Sequence, residues 1–538
     1  MTYTYDLNSR QTLVQDATGA YGFTYDNMNR LTQTTTQYAF LTGQNFQNGY
    51  ADDAASNRKM LTAPDGSTNA YTYDALNRLA TLTNSLTGQF GFGYDALSRR
   101  NSLTRPMGVN TTYTYDPVSN LLSVLHKLGT TILDGASYTY DPANNRKTRV
   151  DKRLSTTLTY GYDNIYELLS AKQGSTTKET YTYDAVGNRL SSLGVSPYSY
   201  NPSNELTATP SASYTYDNNG NTLTKSGGTT YSWDFENRLV SAVVPGTGTV
   251  AFKYDLFGRR VQKSSASGTT NYLYDGDGDN AIEELDGSGN VLARYAQTLE
   301  MDELLSEYRS GLASYYEQDG LSSVSSLSNS GGTLANTYVY DSFGKMTTST
   351  GTLTNPFRYT ARDYDMESGL YYYRARYYDT SAGRFLSEDP LGVRDQLNMY
   401  VHVRNNPTNF DDPFGLYQTK GFDPDQRALL DAAIAEALAK LREQCPNCAG
   451  PDGPKIADAI ERTTFVYKPK LKDCGETGPL TFWRLRHEVA LGPNAFRGIC
   501  CSLASTLTHE VVHSLTHGEN KAYDIEQKCF GCSDARKP

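Results

Sequence analysis

A phrase of alternating aromatic and hydroxyl side chains, closed by an aspartate, recurs along this chain and limits its fold more than any single motif. It reads Tyr71-Thr72-Tyr73-Asp74-Ala75-Leu76-Asn77-Arg78-Leu79, returns as Tyr181-Thr182-Tyr183-Asp184-Ala185-Val186-Gly187-Asn188-Arg189-Leu190, and again as Phe252-Lys253-Tyr254-Asp255-Leu256-Phe257-Gly258-Arg259-Arg260-Val261. Its closing residue stands at Asp6, Asp26, Asp74, Asp95, Asp116, Asp141, Asp163, Asp184, Asn201, Asp217, Asp234, Asp255 and Asp275, with a degraded copy from Tyr50 to Arg58 in the one long gap. Internal repetition of this kind marks a stacked architecture. Tyr-Thr-Tyr alternation suits a strand with one buried face, and Asp-x-x-Gly/Asn-Arg suits a turn into the next strand, so each copy is expected to be a β-hairpin. One hairpin is marginal in water, so the units must pair side by side into a long sheet whose tyrosines supply contact area and a bonding hydroxyl. A closing spiral would reduce the exposed edges of such a sheet.

The chain is long enough for a large repeat unit plus a small appended one, and its halves obey different rules. Residues 1 to about 416 are rich in Tyr, Gly, Thr, Ser and Asn, whereas all seven cysteines (Cys445, Cys448, Cys474, Cys500, Cys501, Cys529, Cys532) lie in the last fifth. Asp423 reads as a helix N-cap with Pro424 at the first helical position, followed by Leu430, Ile434, Leu438 and Leu441 at helical spacing. Lys plus Arg number 49 against 59 Asp plus Glu, a net charge of −10. That balance offers no basic field for nucleic acid or an anionic membrane surface. Met1 runs directly into Thr2-Tyr3-Thr4-Tyr5-Asp6, so a signal peptide is not expected, and no apolar run approaches the roughly 18 residues of a membrane span.

The repeated phrase resembles the YD repeats of the Rhs family, over nearly all of residues 1 to 416. The stretch from Asn355-Pro356-Phe357-Arg358-Tyr359 to Gly383-Arg384-Phe385-Leu386-Ser387-Glu388-Asp389-Pro390 is similar to that family's core segment. It continues through Asn398-Met399-Tyr400 and Asn405-Asn406-Pro407 to Asp412-Pro413-Phe414-Gly415-Leu416. The resemblance implies a mainly β fold, a spiralling cocoon over residues 1–345 sealed by a core segment over 346–416. It also implies self-cleavage after the final Asp-Pro-x-Gly-Leu, between Leu416 and Tyr417, where the composition changes. Asp389 and Asp412 then correspond to an aspartyl-protease-like pair, with Arg376 as a supporting cation. Two carboxylates sharing one proton can activate water with one member and protonate the leaving amide with the other. Without the resemblance, both Asp-Pro steps read equally as turn starters.

Residues 417–538 are expected to form a small α+β domain. Leu507-Thr508-His509-Glu510-Val511-Val512-His513-Ser514-Leu515 places His509 and His513 at i and i+4 of one helix, where both imidazoles can hold a zinc ion while Glu510 takes a proton from bound water. Four of the chain's six histidines fall between 487 and 517. Arg486 to Leu491 alternates like a strand, as the substrate-edge strand does in zincin metallopeptidases. The third ligand is expected to be Glu519, which opens a Glu-x-x-Ala sequence similar to the gluzincin ligand motif. Glu526 is the fallback, with Asp524 behind it; His517 lies about 12 Å from His509 if the helix continues. Cys445-x-x-Cys448 and Cys529-x-x-Cys532 fit disulfides, a structural zinc site or free thiols.

These features together lead to the expectation of a Rhs-type polymorphic toxin. A β-repeat shell would enclose a zinc-dependent metallopeptidase, cut it free and hand it to a secretion apparatus for delivery into a target cell. There it would meet a protein or peptide substrate, and in the producer a cognate immunity protein. Two rival readings remain: a non-enzymatic surface or adhesion protein with a metal-stabilised tail, and a zinc amidase acting on cell-wall peptide.

Overall fold

The computed structural model describes residues 1–276, 278–390 and 398–416, and beyond these only the backbone of four short strands. Within it the repeats form antiparallel strands, each paired with the strand next in sequence. An 18-stranded sheet runs from Thr2–Tyr5 to Arg189–Ser192 and a 16-stranded sheet from Ser199–Tyr200 to Met346–Thr350. The last hairpin, Leu334–Tyr340 with Met346–Thr350, straddles the boundary expected at 345/346.

The repeat shows why its residues are fixed. At Asp74 the Oδ1 atom accepts the amides of Leu76 (2.8 Å) and Arg78 (3.1 Å), while Arg78 Nε donates to Oδ2 at 2.8 Å. Asn77, between them, sits at φ +58°, the left-handed region that asparagine and glycine tolerate best. The Arg78 guanidinium then lies 4.5 Å over the Tyr94 ring of the next repeat, whose hydroxyl donates to Leu79 O at 2.9 Å. The first tyrosine of the phrase is buried (Tyr71, 4% exposed), and the threonine between faces outward to bond its neighbour, as Thr72 does with Thr81 at 2.6 Å. Copies that keep this arginine, at Arg10, Arg78, Arg99, Arg238 and Arg259, couple to the adjoining repeat through a cation–π contact and a tyrosine hydroxyl bond, together contributing on the order of 1–2 kcal/mol. The same turn occurs at Asp286, Asp319 and Asp341, past the last copy read from the sequence.

Hydrogen bonds between distant residues show how the sheets wind. Tyr38 reaches Tyr272 O, 234 residues on; Thr87 meets Ser306 after 219, His126 meets Gln318 O after 192, and Ser342 N–H reaches Glu179 after 163. The separation falls along the chain, so the spiral narrows. Residues 355–390 and 398–416 pack against it as a plug and include a four-stranded sheet of Asp363–Asp365, Leu370–Tyr373, Arg376–Asp379 and Arg384–Phe385. Arg260 joins this plug to the wall through Asp363 (2.5 Å) and Asp365 (2.6 Å), as do Lys225 with Asp379 (2.9 Å) and Asn398 with Asn188 (2.6 Å).

Past Leu416, Thr419–Lys420, Thr464–Tyr467, Gly475–Thr477 and Glu488–Leu491 form a second four-stranded sheet. Glu488–Leu491 falls within the stretch expected to be a strand. It pairs parallel with Thr464–Tyr467 on one side and antiparallel with Gly475–Thr477 on the other, so it is an interior strand of this sheet rather than the free edge expected.

Burial pushes several carboxyl groups of the wall upward: Glu167, Glu307, Glu317 and Asp341 to about 7 and Glu283 to about 8. Each binds a proton more tightly in the fold than in the unfolded chain, so its stabilisation is complete at low pH and is lost as pH rises through 7 to 8. Burial lowers His126 to about 4 and His402 to about 3, which has the opposite sign below about 6.5, but two histidines do not offset five carboxyls. The melting temperature measured by calorimetry is therefore expected to fall between pH 5 and pH 8, by on the order of 5 °C. A flat or rising profile would mean that these carboxyls keep their charge inside the fold.

Candidate active site

The hairpin of Leu370–Tyr373 and Arg376–Asp379 turns through Arg374 and Ala375, with Arg374 at φ +59°, and so presents alternate arginines at one end of the plug. Arg376 is 2% exposed, and its guanidinium lies 3.7 Å over the ring of Phe385. That ring is packed in turn against Tyr373, Tyr378 and the fully buried His402. A planar cation seated on an aromatic face has little freedom, so the atoms it meets are fixed with it.

One nitrogen of that cation, Nη2, meets two carboxylates: Asp389 Oδ2 at 2.9 Å and Asp412 Oδ2 at 3.4 Å. Both aspartates are buried, at 8% and 4% exposure. Asp389 is anchored by its own amide, which donates to Met399 O at 3.0 Å. Asp412 faces the end of the described chain, and its Oδ1 accepts the Leu416 N–H at 2.9 Å. The structure thus brings together Arg376, Asp389, Asp412 and Leu416. Burial raises the Asp412 carboxyl to about 7; the neighbouring Asp389 charge adds to this and Arg376 opposes it. Asp412 is therefore protonated through the acid range, beside a second carboxylate that its partner arginine holds in place.

The segment after Asp412 is drawn tight against the hairpin. Arg376 Nε donates to Gly415 O at 2.5 Å, Ala375 N to Phe414 O at 3.1 Å, and Arg362 Nη1 to Pro413 O at 3.0 Å. Gly415 sits at φ +70°, and a Cβ there would lie 2.4 Å from Tyr373 O and 3.2 Å from Arg376 N. Gly415→Ala is expected to push Leu416 away from the aspartates, lowering any cut at this bond by on the order of 100-fold on a denaturing gel. A variant cut as fast as the parent would show that the close approach is not needed.

Tyr417, the residue beyond the expected cut, lies outside the described residues. So do the candidate metal residues His509, Glu510, His513, Glu519 and Glu526, with Asp524 and His517, and the cysteines Cys445, Cys448, Cys529 and Cys532. Sequence reasoning missed Arg362 and Arg374, which hold the Pro413 carbonyl, and read Gly415 only as part of the Asp-Pro-x-Gly-Leu motif.

Comparison with known proteins identifies the family of the repeat shell. The model of the teneurin YD-shell family matches residues 139–424. The tRNA3(Ser)-specific nuclease WapA of Bacillus spizizenii is 33% identical over 299 residues, 54% of this chain and 11% of that protein. Toxin subunit YenC2 of Yersinia entomophaga is 40% identical over 110 residues, 20% of this chain and 10% of its own length. Toxin protein Tse5 of Pseudomonas aeruginosa is 49% identical over 61 residues, 11% of this chain and 5% of that one. The chain thus spans about a tenth or less of the length of these relatives. A crystal structure of TcdB2-TccC3-Cdc42 superimposes with a TM-score of 0.67 at 19% identity, covering 77% of this chain and 25% of that one, a likeness of fold.

Proposed function

The chain belongs to the teneurin YD-shell family, as a Rhs-type repeat shell related to polymorphic toxins, and on that premise we propose that it cuts itself between Leu416 and Tyr417 to release a C-terminal hydrolase. The observation that carries this reading is the shared Arg376 nitrogen between Asp389 and Asp412, with Asp412 bonded to the amide of Leu416. In the cut, the Asp389 carboxylate takes a proton from water as its oxygen adds to the Leu416 carbonyl carbon. The protonated Asp412 then gives its proton to the Tyr417 nitrogen as the C–N bond breaks. Arg376 pairs with both carboxylates through one nitrogen and holds them in register. The products are a shell ending in the Leu416 carboxylate and a piece beginning with the Tyr417 amine.

The released piece, residues 417–538, is proposed to be a metallopeptidase. Two imidazoles four residues apart with a nearby carboxylate form a donor set suited to zinc, which when bound polarises a scissile carbonyl. His509, His513 and Glu519, or Glu526 in its place, would hold it, and Glu510 would accept the proton of the attacking water. The cysteine pairs would close disulfides or a second metal site. The shell's role is then delivery to another cell through a secretion apparatus, with an immunity protein protecting the producer and a protein or peptide as the target. Among the described residues no helix is long and apolar enough to cross a membrane. The test is to isolate the piece beginning at Tyr417, determine its zinc content and assay it on protein substrates. About one zinc per chain with Glu510-dependent hydrolysis is the expected result, and a metal-free, inert piece would refute the enzyme assignment.

A further inference from the structure

Two arginines beside the site ion-pair with neither Asp389 nor Asp412, yet both reach the same backbone atom of the strand to be cut. Arg362 Nη1 donates to Pro413 O at 3.0 Å, and Arg374 Nη1 donates to that same oxygen. Two cations converging on one carbonyl repel each other. Burial first, and the Arg374 charge second, pull the Arg362 guanidinium well below its ordinary range. The charge that lets them share the oxygen is Asp302, whose Oδ1 pairs with Arg362 and accepts from Arg374 Nη2 at 2.9 Å. Asp279 stands 3.8 Å from Arg374 Nε, and the charges of Asp412 and Asp363 also act on Arg362.

Asp302 belongs to the wall, not the plug. It lies in the turn between Val291–Gln297 and Leu304–Arg309, 72 residues before Arg374, at φ +67°. Its own carbonyl is held by Gln318 Nε2 at 2.9 Å, from the neighbouring hairpin. A side chain fixed in the wall thus sets two side chains of the plug, and these set the carbonyl three residues before Leu416. Phe414 completes the clamp, with Arg374 5.6 Å over its ring. A cavity of about 320 Å³, lined by Asp302, Arg362, Arg374, Phe414 and Leu416 among others, lies against it.

We infer that Asp302, through Arg362 and Arg374, is a positioning residue for the self-cleavage, making the cut conditional on the wall turn around residue 302 having closed on the plug. The inference rests on the proposed self-cleavage. A chain whose wall has not closed lacks the Asp302 carboxylate between the two guanidinium groups. The arginines then separate, the Pro413 carbonyl is released, and Leu416 leaves the aspartate pair. The cut therefore follows enclosure and does not precede it.

The test is the rate of cutting in full-length chains made by cell-free translation, followed on denaturing gels beside Asp412→Asn as the reference for loss of chemistry. Asp302→Asn removes the charge while keeping a residue that tolerates positive φ. It is expected to slow the cut 10- to 100-fold, because small misplacements of a reacting bond have effects of that size. Arg374→Gln should slow it similarly and Arg374→Lys should recover part of the rate. In all three the pH at which the rate falls should stay at or above the parent's, since losing the Leu416 N–H, which lowers the Asp412 carboxyl, can only raise it; a fall below the parent's would assign Asp302 to the chemistry itself and overturn the positioning role. Parental rates in both Asp302→Asn and Arg374→Gln, with Asp412→Asn inactive, would overturn this inference and leave self-cleavage standing. An uncut parent, or a cut Asp412→Asn, would instead remove the reading beneath it. If Asp302→Asn loses the protease resistance of the wall, Arg374→Gln in an intact wall decides alone.

Discussion

Asp412→Asn is expected to stop the separation of the chain into two pieces, lowering the rate by on the order of 1000-fold, as loss of a general acid does. Asparagine keeps the oxygen that accepts the Leu416 N–H, so the strand stays in place and the change isolates the proton. Arg376 then faces Asp389 alone, which strengthens that ion pair and leaves the fold intact. The same assignment fixes the pH dependence. The Asp412 carboxyl titrates at about 7, and the cut needs its protonated form, so the parental rate should decline as pH rises through 7 and change little with Asp412 protonation below about 6. A rate that rises with pH through this range would reverse the roles given to Asp389 and Asp412.

Glu510→Gln in the released piece carries the second large effect. With the imidazoles of His509 and His513 unchanged, the variant should bind zinc as the parent does and lose hydrolysis of protein by on the order of 1000-fold or more, because the attacking water has lost its base. Metal content separates this from unfolding, since a site built on folded residues loses its zinc when they come apart. Toxicity that survives the substitution would point to binding rather than catalysis, the behaviour of an adhesion module with a metal-stabilised tail. A variant inert on proteins whose parent cleaves cell-wall peptide would keep the mechanism and change the substrate.

The wall was readable in the sequence because each letter of its phrase has a local task. Asp74 folds the turn, Asn77 takes the positive φ, and Arg78 reaches the next tyrosine, so the pattern survives wherever those tasks do. It faded past Asp275 because Leu285 and Gln318 stand where most copies have a tyrosine before the turn aspartate, although the turn persists at Asp286 and Asp319, and Tyr338-Val339-Tyr340-Asp341 keeps the phrase. Asp389, Asp412 and Arg376 were legible only through resemblance. Asp412 lies 36 residues from Arg376, and no periodicity predicts that meeting. Asp302, Arg362 and Arg374 gave no signal, since charged side chains in a tyrosine-rich segment look like solvated ones until the narrowing spiral brings them to one carbonyl.

The central claim is that the shell cuts its own chain after Leu416, and it is tested most directly by the intact masses of the purified full-length product under denaturing conditions. The account predicts two species whose masses meet at the Leu416–Tyr417 bond in the parent, and a single species in Asp389→Asn and Asp412→Asn. A parent chain that remains whole, or one cut at another bond with both aspartate variants cut alike, would contradict it.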